Sequence, residues 1–168
     1  MRAATIGFTK FNTADSPGRR IELRFGRVNP RPLNGTIVNA LLKDFILNGR
    51  NPVLMPIYVL VQKDWIVPES FVSDASTPWA SLPELQFTEL AYGAIVDVLS
   101  GHHRTAAARL LREQYRADIA AGNVRLSKLA DDESSSEDRE KLTRLITLLT
   151  QQVLNSVQWL VCLIDASK

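Results

Sequence analysis

The sequence predicts an α+β domain: a small mixed sheet with packed helices, extended by a long C-terminal amphipathic helix. Three observations predict it. Short alternating or β-branched runs occur at 20–25, 56–62 and 91–99, each of strand length. Runs at helical spacing follow at 36–48 and from residue 103 to about 120. A last apolar stripe, over roughly 137–164, is longer than most globular helices.

A chain of 168 residues is long enough for one domain with a real core, and 45% hydrophobic with 23% charged residues is the composition of a packed chain. MRAATIGFTKFN lacks the apolar stretch of a signal peptide, and no run approaches the roughly 20 apolar residues of a membrane span. An intracellular location, cytoplasm or nucleus, is therefore expected, with no membrane partner. The lone Cys162 excludes an intramolecular disulfide, a paired-cysteine zinc site and a CxxC redox motif. Within WLVCLI it is expected to be a small buried hydrophobe.

In chain order, residues 1–19 have no sustained period and are expected to form an arm or a short edge element. RIELRF at 20–25 alternates as a strand does, and RVNPRPLNG then brings two prolines and an Asn-Gly, the composition of an ordered loop. TIVNALLKDFILN places Ile37, Val38, Leu41, Leu42, Phe45 and Ile46 on one helical face, with Gly49 as the stop. PIYVLVQ at 56–62 is a buried strand. The proline- and serine-rich stretch 64–88 is a long excursion with one short strand expected around LQFT. AYGAIVDVL at 91–99 is a central strand running into Ser100-Gly101, and the helix beginning at His103 is expected to end at Gly122-Asn123. Residues 129–168 form an acidic joint, in which Ser134 and Glu137 offer a capping box, and the C-terminal helix. The domain proper is then 20–128.

The net charge of +2 conceals an asymmetry: residues 1–128 carry 16 Lys and Arg against 11 Asp and Glu, whereas 129–168 carry 4 against 7. The first 31 residues hold seven of those cations against Asp15 and Glu22. Such a front end suits an anionic partner, either nucleic acid or a phosphorylated small molecule, and equally a solvated surface.

The stretch VDVLSGHHRTAAARLL carries the chemistry. A strand, a Ser-Gly turn and a helix start leave several N–H groups without internal partners, at the end where the macrodipole is positive. His102, His103 and Arg104 are cations or potential cations at that end. An anion in the turn resolves the conflict, because Ser100, Gly101, His102, His103 and Arg104 then surround a phosphate. Gly101 allows close backbone approach. The alternative is a solvated turn whose side chains bond neighbouring carbonyls. Adjacent histidines without an acidic cluster make a poor metal site.

SGHHRTAAARLL resembles the second box of the ParB/sulfiredoxin superfamily, a strand, a G-x-x-R turn and an alanine-rich helix. RVNPRPLNGTIVNALLKDFILNGRNPVLMPIYVLV resembles the first, a proline-arginine loop, helix, glycine stop and Pro-Ile strand. The two span about residues 27–112, in the family's order. The resemblance implies a nucleotide-phosphate site at Gly101, His103 and Arg104, with Arg31 of the Arg-Pro-Leu sequence reaching the same phosphates. It implies ATP or CTP, with or without Mg²⁺, as the cofactor. His102 stands where sulfiredoxins carry their catalytic cysteine, so sulfinic acid reduction by that route is excluded. Ile37 and Ala40 replace a Lys and a Ser offered to the nucleotide, and the loop VNPRPLN lacks the glutamate of the free-serine kinases.

Three functions follow as expectations. The first is a nucleotide- or phosphate-binding domain with slow nucleotide hydrolysis or phosphotransfer open to it, Asp97 being the candidate catalytic, metal-holding carboxylate. The second is a nucleic-acid-binding protein or nuclease, in which Trp65, Trp79 or Tyr92 would stack on bases. The third is an interaction module whose C-terminal helix pairs with a second copy or another protein.

Overall fold

The structure, a computed structural model, describes residues 5–13, 21–28, 30–129 and 136–167. It is mixed α/β, with one five-stranded mixed sheet and, among the described residues, three α-helices. The strands are β1 (Thr5–Asn12), β2 (Glu22–Phe25), β3 (Ile57–Val61), β4 (Ile95–Val98) and β5 (Gln158–Asp165). The helices are α1 (Gly35–Asn48), α2 (His102–Lys128) and α3 (Ser136–Asn155). The sheet order is β1-β5-β3-β4-β2, with β5 antiparallel to β1 and parallel to β3, and β4 antiparallel to β3 and parallel to β2.

The C-terminal helix expected over 137–164 ends at Asn155, and its last part is strand β5. The run VQWLVCLI is apolar at every position but Gln158, so it satisfies helical and strand periods alike. The slot between β1 and β3 decides the matter, because it pairs the backbone on both sides and buries Trp159 to Ile164 without a break. Cys162, buried at 3% exposure, is the small hydrophobe expected of it.

One face of the sheet carries Ile57, Val59, Val61, Val161, Leu163, Val96 and Val98, all buried in one core. Against it α1 buries Val38 and Phe45, with Leu41 and Leu42 partly covered, whereas Ile37 and Ile46 of the expected stripe are half exposed. Asn34 caps this helix, its Oδ1 accepting from Thr36 N at 2.9 Å and Ile37 N at 3.3 Å. α2 contributes Thr105, Ala107, Ala108 and Leu111 to the interior.

Gly122 does not end α2, which runs on to Lys128. A Cβ at Gly122 would lie 3.0 Å from Ile146 Cγ1, so this glycine is a notch into which α3 packs. The part of the α3 stripe that faces α2 is half-buried, Leu142, Ile146, Leu149 and Val153, while Leu145 and Leu148 are exposed.

Residues 5–12 are a full edge strand rather than an arm. The excursion 64–88 forms short 3₁₀ turns and closes that edge. Phe8 bridges Val72, Lys10 bridges Glu84, and the buried Thr9 hydroxyl donates to the Ser70 and Pro83 carbonyls at 2.7 and 3.0 Å. The strand expected around LQFT is reduced to single bridges at Glu84 and Phe87. β2 begins at Glu22 and β4 at Ile95, shorter than the runs at 20–25 and 91–99. Ser134 of the expected capping box and residues 14–19 lie outside the described residues.

The two assignments of the C-terminal segment differ in a measurable way. Leu163→Ala, fully buried in β5, is expected to cost about 2–5 kcal/mol in urea unfolding, and Leu148→Ala, exposed on α3, less than about 0.5 kcal/mol.

Candidate phosphate-binding site

The turn between β4 and α2 is held by β3. Leu99 N donates to the Tyr58 carbonyl at 2.8 Å, and Ser100 Oγ accepts from Tyr58 N at 3.1 Å, leaving its hydroxyl proton free to donate. Gly101, the residue before the first helical turn, has φ +92°, and a Cβ there would meet Ile57 Cγ1 at 3.0 Å. Both the left-handed backbone and the close approach to β3 require glycine. No side chain caps this helix end, and the first helical bond runs from Thr105 N to Gly101 O. The amides ahead of Thr105 have no intrahelical acceptor.

The two imidazoles are held separately. His102 stacks on Phe25, centroids 5.1 Å apart and planes 18° apart. Its Nδ1 is buried with no partner. Burial lowers the His102 pKa, with the neighbouring His103 and Arg109 acting in the same direction and the Arg31 backbone acting against it. His103 Nε2 accepts from Asn34 N at 3.0 Å, so that nitrogen carries no proton and Nδ1 is the donor. The N-cap of α1 thereby touches the start of α2.

Together Gly26, Arg31, Ser100, Gly101, His102 and His103, with Val98 and Leu99, line a cavity of about 140 Å³. The structure thus brings Arg31 to the Ser-Gly-His-His turn from the neighbouring loop. Arg104 does not line it. Its guanidinium donates to the Met55 carbonyl, with Pro56 O at 3.5 Å, and lies 5.7 Å from the Trp159 ring centroid. Burial lowers the Arg104 pKa. Arg104, expected with the others around the turn, is instead directed toward β5, where a flat cation and an indole face are complementary.

Asp97 is also elsewhere. In β4 it takes a two-pronged hydrogen bond from Arg24 of β2, at 2.7 and 3.0 Å, and Arg27 Nη1 approaches at 3.4 Å. The Arg24 hydrogen bond is the largest cause holding its carboxyl below the usual range. A carboxylate neutralised by two guanidinia and outside the cavity lining is a poor metal ligand. It also neutralises part of the basic front end. Among the described residues no group of three or more His, Cys, Asp or Glu side chains is placed to hold a metal.

Phe25, Gly26 and Asn34 are neighbours of the turn that sequence reasoning did not single out. Asn34 carried a signal, an Asn immediately ahead of a helical run. Gly26, at φ +85°, and Phe25 carried none that separates them from any strand end.

Comparison with protein-family models, curated proteins and solved structures found no match for this chain. The resemblance to the ParB/sulfiredoxin superfamily accordingly rests on the two sequence boxes alone.

Two outcomes follow for this turn. Gly101→Ala is expected to lose about 1–3 kcal/mol of stability in urea unfolding. His102 has a folded pKa below its ordinary 6.5, so its contribution to stability is present above about that pH and is lost as pH falls through the folded value. A series of unfolding curves should show that loss, and His102→Asn should remove it.

Proposed function

We propose that this protein binds the phosphate of a nucleotide, ATP or CTP, in the turn between β4 and α2. The observation that carries the reading is the make-up of the cavity: the uncapped start of α2 with Ser100, His102, His103 and Arg31, and no Asp or Glu among the described lining residues. Donors without a counter-charge suit a phosphate oxygen, and a guanidinium grips two such oxygens at once.

Size narrows the reading further. At about 140 Å³ the cavity is well below the roughly 300–1,000 Å³ of sites that enclose a drug-sized ligand. It suits a phosphate group, with ribose and base lying over the surface outside. Mg²⁺ would travel on the nucleotide's own phosphates, since Asp97 is committed to Arg24 and Arg27. These residues support binding more strongly than turnover, because the lining offers no carboxylate to hold a metal or take a proton. The nucleic-acid reading draws less support: Trp65 packs against the core and Trp79 lines a different cleft, which leaves Tyr92 as the exposed ring of the three.

Thermal unfolding of the full chain with ATP, CTP, GTP, ADP or pyrophosphate, each with and without Mg²⁺, tests the proposal. Saturating ligand is expected to stabilise the protein by about 2.7 kcal/mol at a hundredfold excess over Kd, and Arg31→Ala to remove most of that rise without lowering the ligand-free Tm. No rise with any of these ligands in a folded sample would sink the reading. Bound anion is also expected to raise the His102 pKa, followed by NMR titration of the imidazole.

A further inference from the structure

Away from that turn, a cleft of about 650 Å³ opens between the end of α1, the loop at 50–53, α2 and the end of α3. Its volume lies within the range of small-molecule sites, about 300–1,000 Å³. Phe45 and Ile46 from α1, Leu111 and Tyr115 from α2, Leu149 from α3, and Trp79 supply apolar and aromatic walls.

Among the described residues, Arg50 is the one cation on the lining of this cleft, and no carboxylate pairs with it. Arg50 Nη1 donates to the Gln158 carbonyl at 2.6 Å, Nη2 donates to the Asn155 carbonyl, and the guanidinium lies 4.5 Å from the Trp159 ring centroid. Asn155 is the last residue of α3, so the compensating charge is a helix C-terminus, worth roughly half an elementary charge. The balance leaves a partly buried cation under-compensated. Burial pulls the Arg50 pKa down to about 10, with Tyr115 the one group acting the other way.

Beside Arg50 the lining has hydrogen-bond donors to spare. A guanidinium carries five N–H donors, and Arg50 uses Nη1 and Nη2 for one carbonyl each. Asn51, also on the lining, spends its Oδ1 on Val53 N at 3.0 Å and Leu54 N at 3.3 Å, which leaves its NH₂ as a donor. No Asp or Glu is among the described residues that line the cleft. Spare donors beside a cation, facing aromatic walls, complement an anion with a flat or apolar body.

We propose that this cleft is a second binding site, for a small organic carboxylate with an aromatic or aliphatic body. Arg50 and the Asn51 amide hold the carboxylate, and Trp79, Tyr115 and Phe45 enclose the body. The site is separate from the phosphate turn, so Arg31→Ala leaves it unchanged.

The probes are indole-3-acetate and octanoate, each titrated calorimetrically into the full chain beside its uncharged alcohol, tryptophol or octanol. Tryptophan fluorescence reports occupancy of the cleft through Trp79. At least one acid is expected to bind saturably, about tenfold or more tighter than its alcohol, a difference of about 1.4 kcal/mol. Leu149→Trp, which fills the cleft from α3 and keeps Arg50, abolishes that binding. Arg50→Gln weakens it by about tenfold or more. Where Arg50→Gln fails to fold, the acid-alcohol comparison and Leu149→Trp decide alone. Equal affinity of acid and alcohol, binding that survives Leu149→Trp, or no saturation of either acid by about 1 mM overturns the proposal.

Discussion

The Trp159 indole, 1% exposed in β5, has the Arg50 guanidinium 4.5 Å from its ring centroid and the Arg104 guanidinium at 5.7 Å. Each guanidinium then donates to backbone carbonyls, Arg50 to Asn155 and Gln158, Arg104 to Met55 and Pro56. One aromatic ring therefore links the C-terminal strand to the end of α3, the loop after α1 and the start of α2. Cation–π contacts of this kind contribute about 0.5–2 kcal/mol each, and the carbonyl bonds add direction to them. The position of both candidate sites depends on this junction.

Its effect on the turn between β4 and α2 is to divide labour between neighbouring residues. Arg104 is drawn inward to the indole and steadies the helix start, so the cavity is lined by Ser100, Gly101, His102, His103 and Arg31 from another loop. Gly101 sits against Ile57, which holds the turn close to β3. Nearby, Asp97 absorbs Arg24 and Arg27 and binds β2 to β4 across the parallel pair. The positive field of the front end is thereby concentrated on fewer cations than a count of charges suggests.

The cleft beside Arg50 arises from the same packing. α3 rests on α2 at the Gly122 notch, and its last turn meets Arg50. Between that contact and α1 the helices leave a space lined by Tyr115 and Leu149. Among the described residues Arg50 has no carboxylate to pair with, and its donors are not all used.

Local chemistry is legible in the residues themselves. The helix after Asn34, its end at Gly49, the strand at 56–62 and the Gly101 turn follow from capping, periodicity and glycine geometry, which act over a few residues. The meeting of Arg31 with the Ser100–His103 turn was legible as well, though only through the superfamily resemblance. What tertiary structure alone decided is where a segment satisfying two local rules goes. VQWLVCLI suits helix or strand until β1 and β3 offer hydrogen bonds on both sides. Gly122 reads as a stop until α3 fills the space that its missing side chain leaves. Arg104 reads as a phosphate ligand until Trp159, 55 positions away in the sequence, offers its face. In each case the deciding partner is distant in the chain, and no local pattern records it.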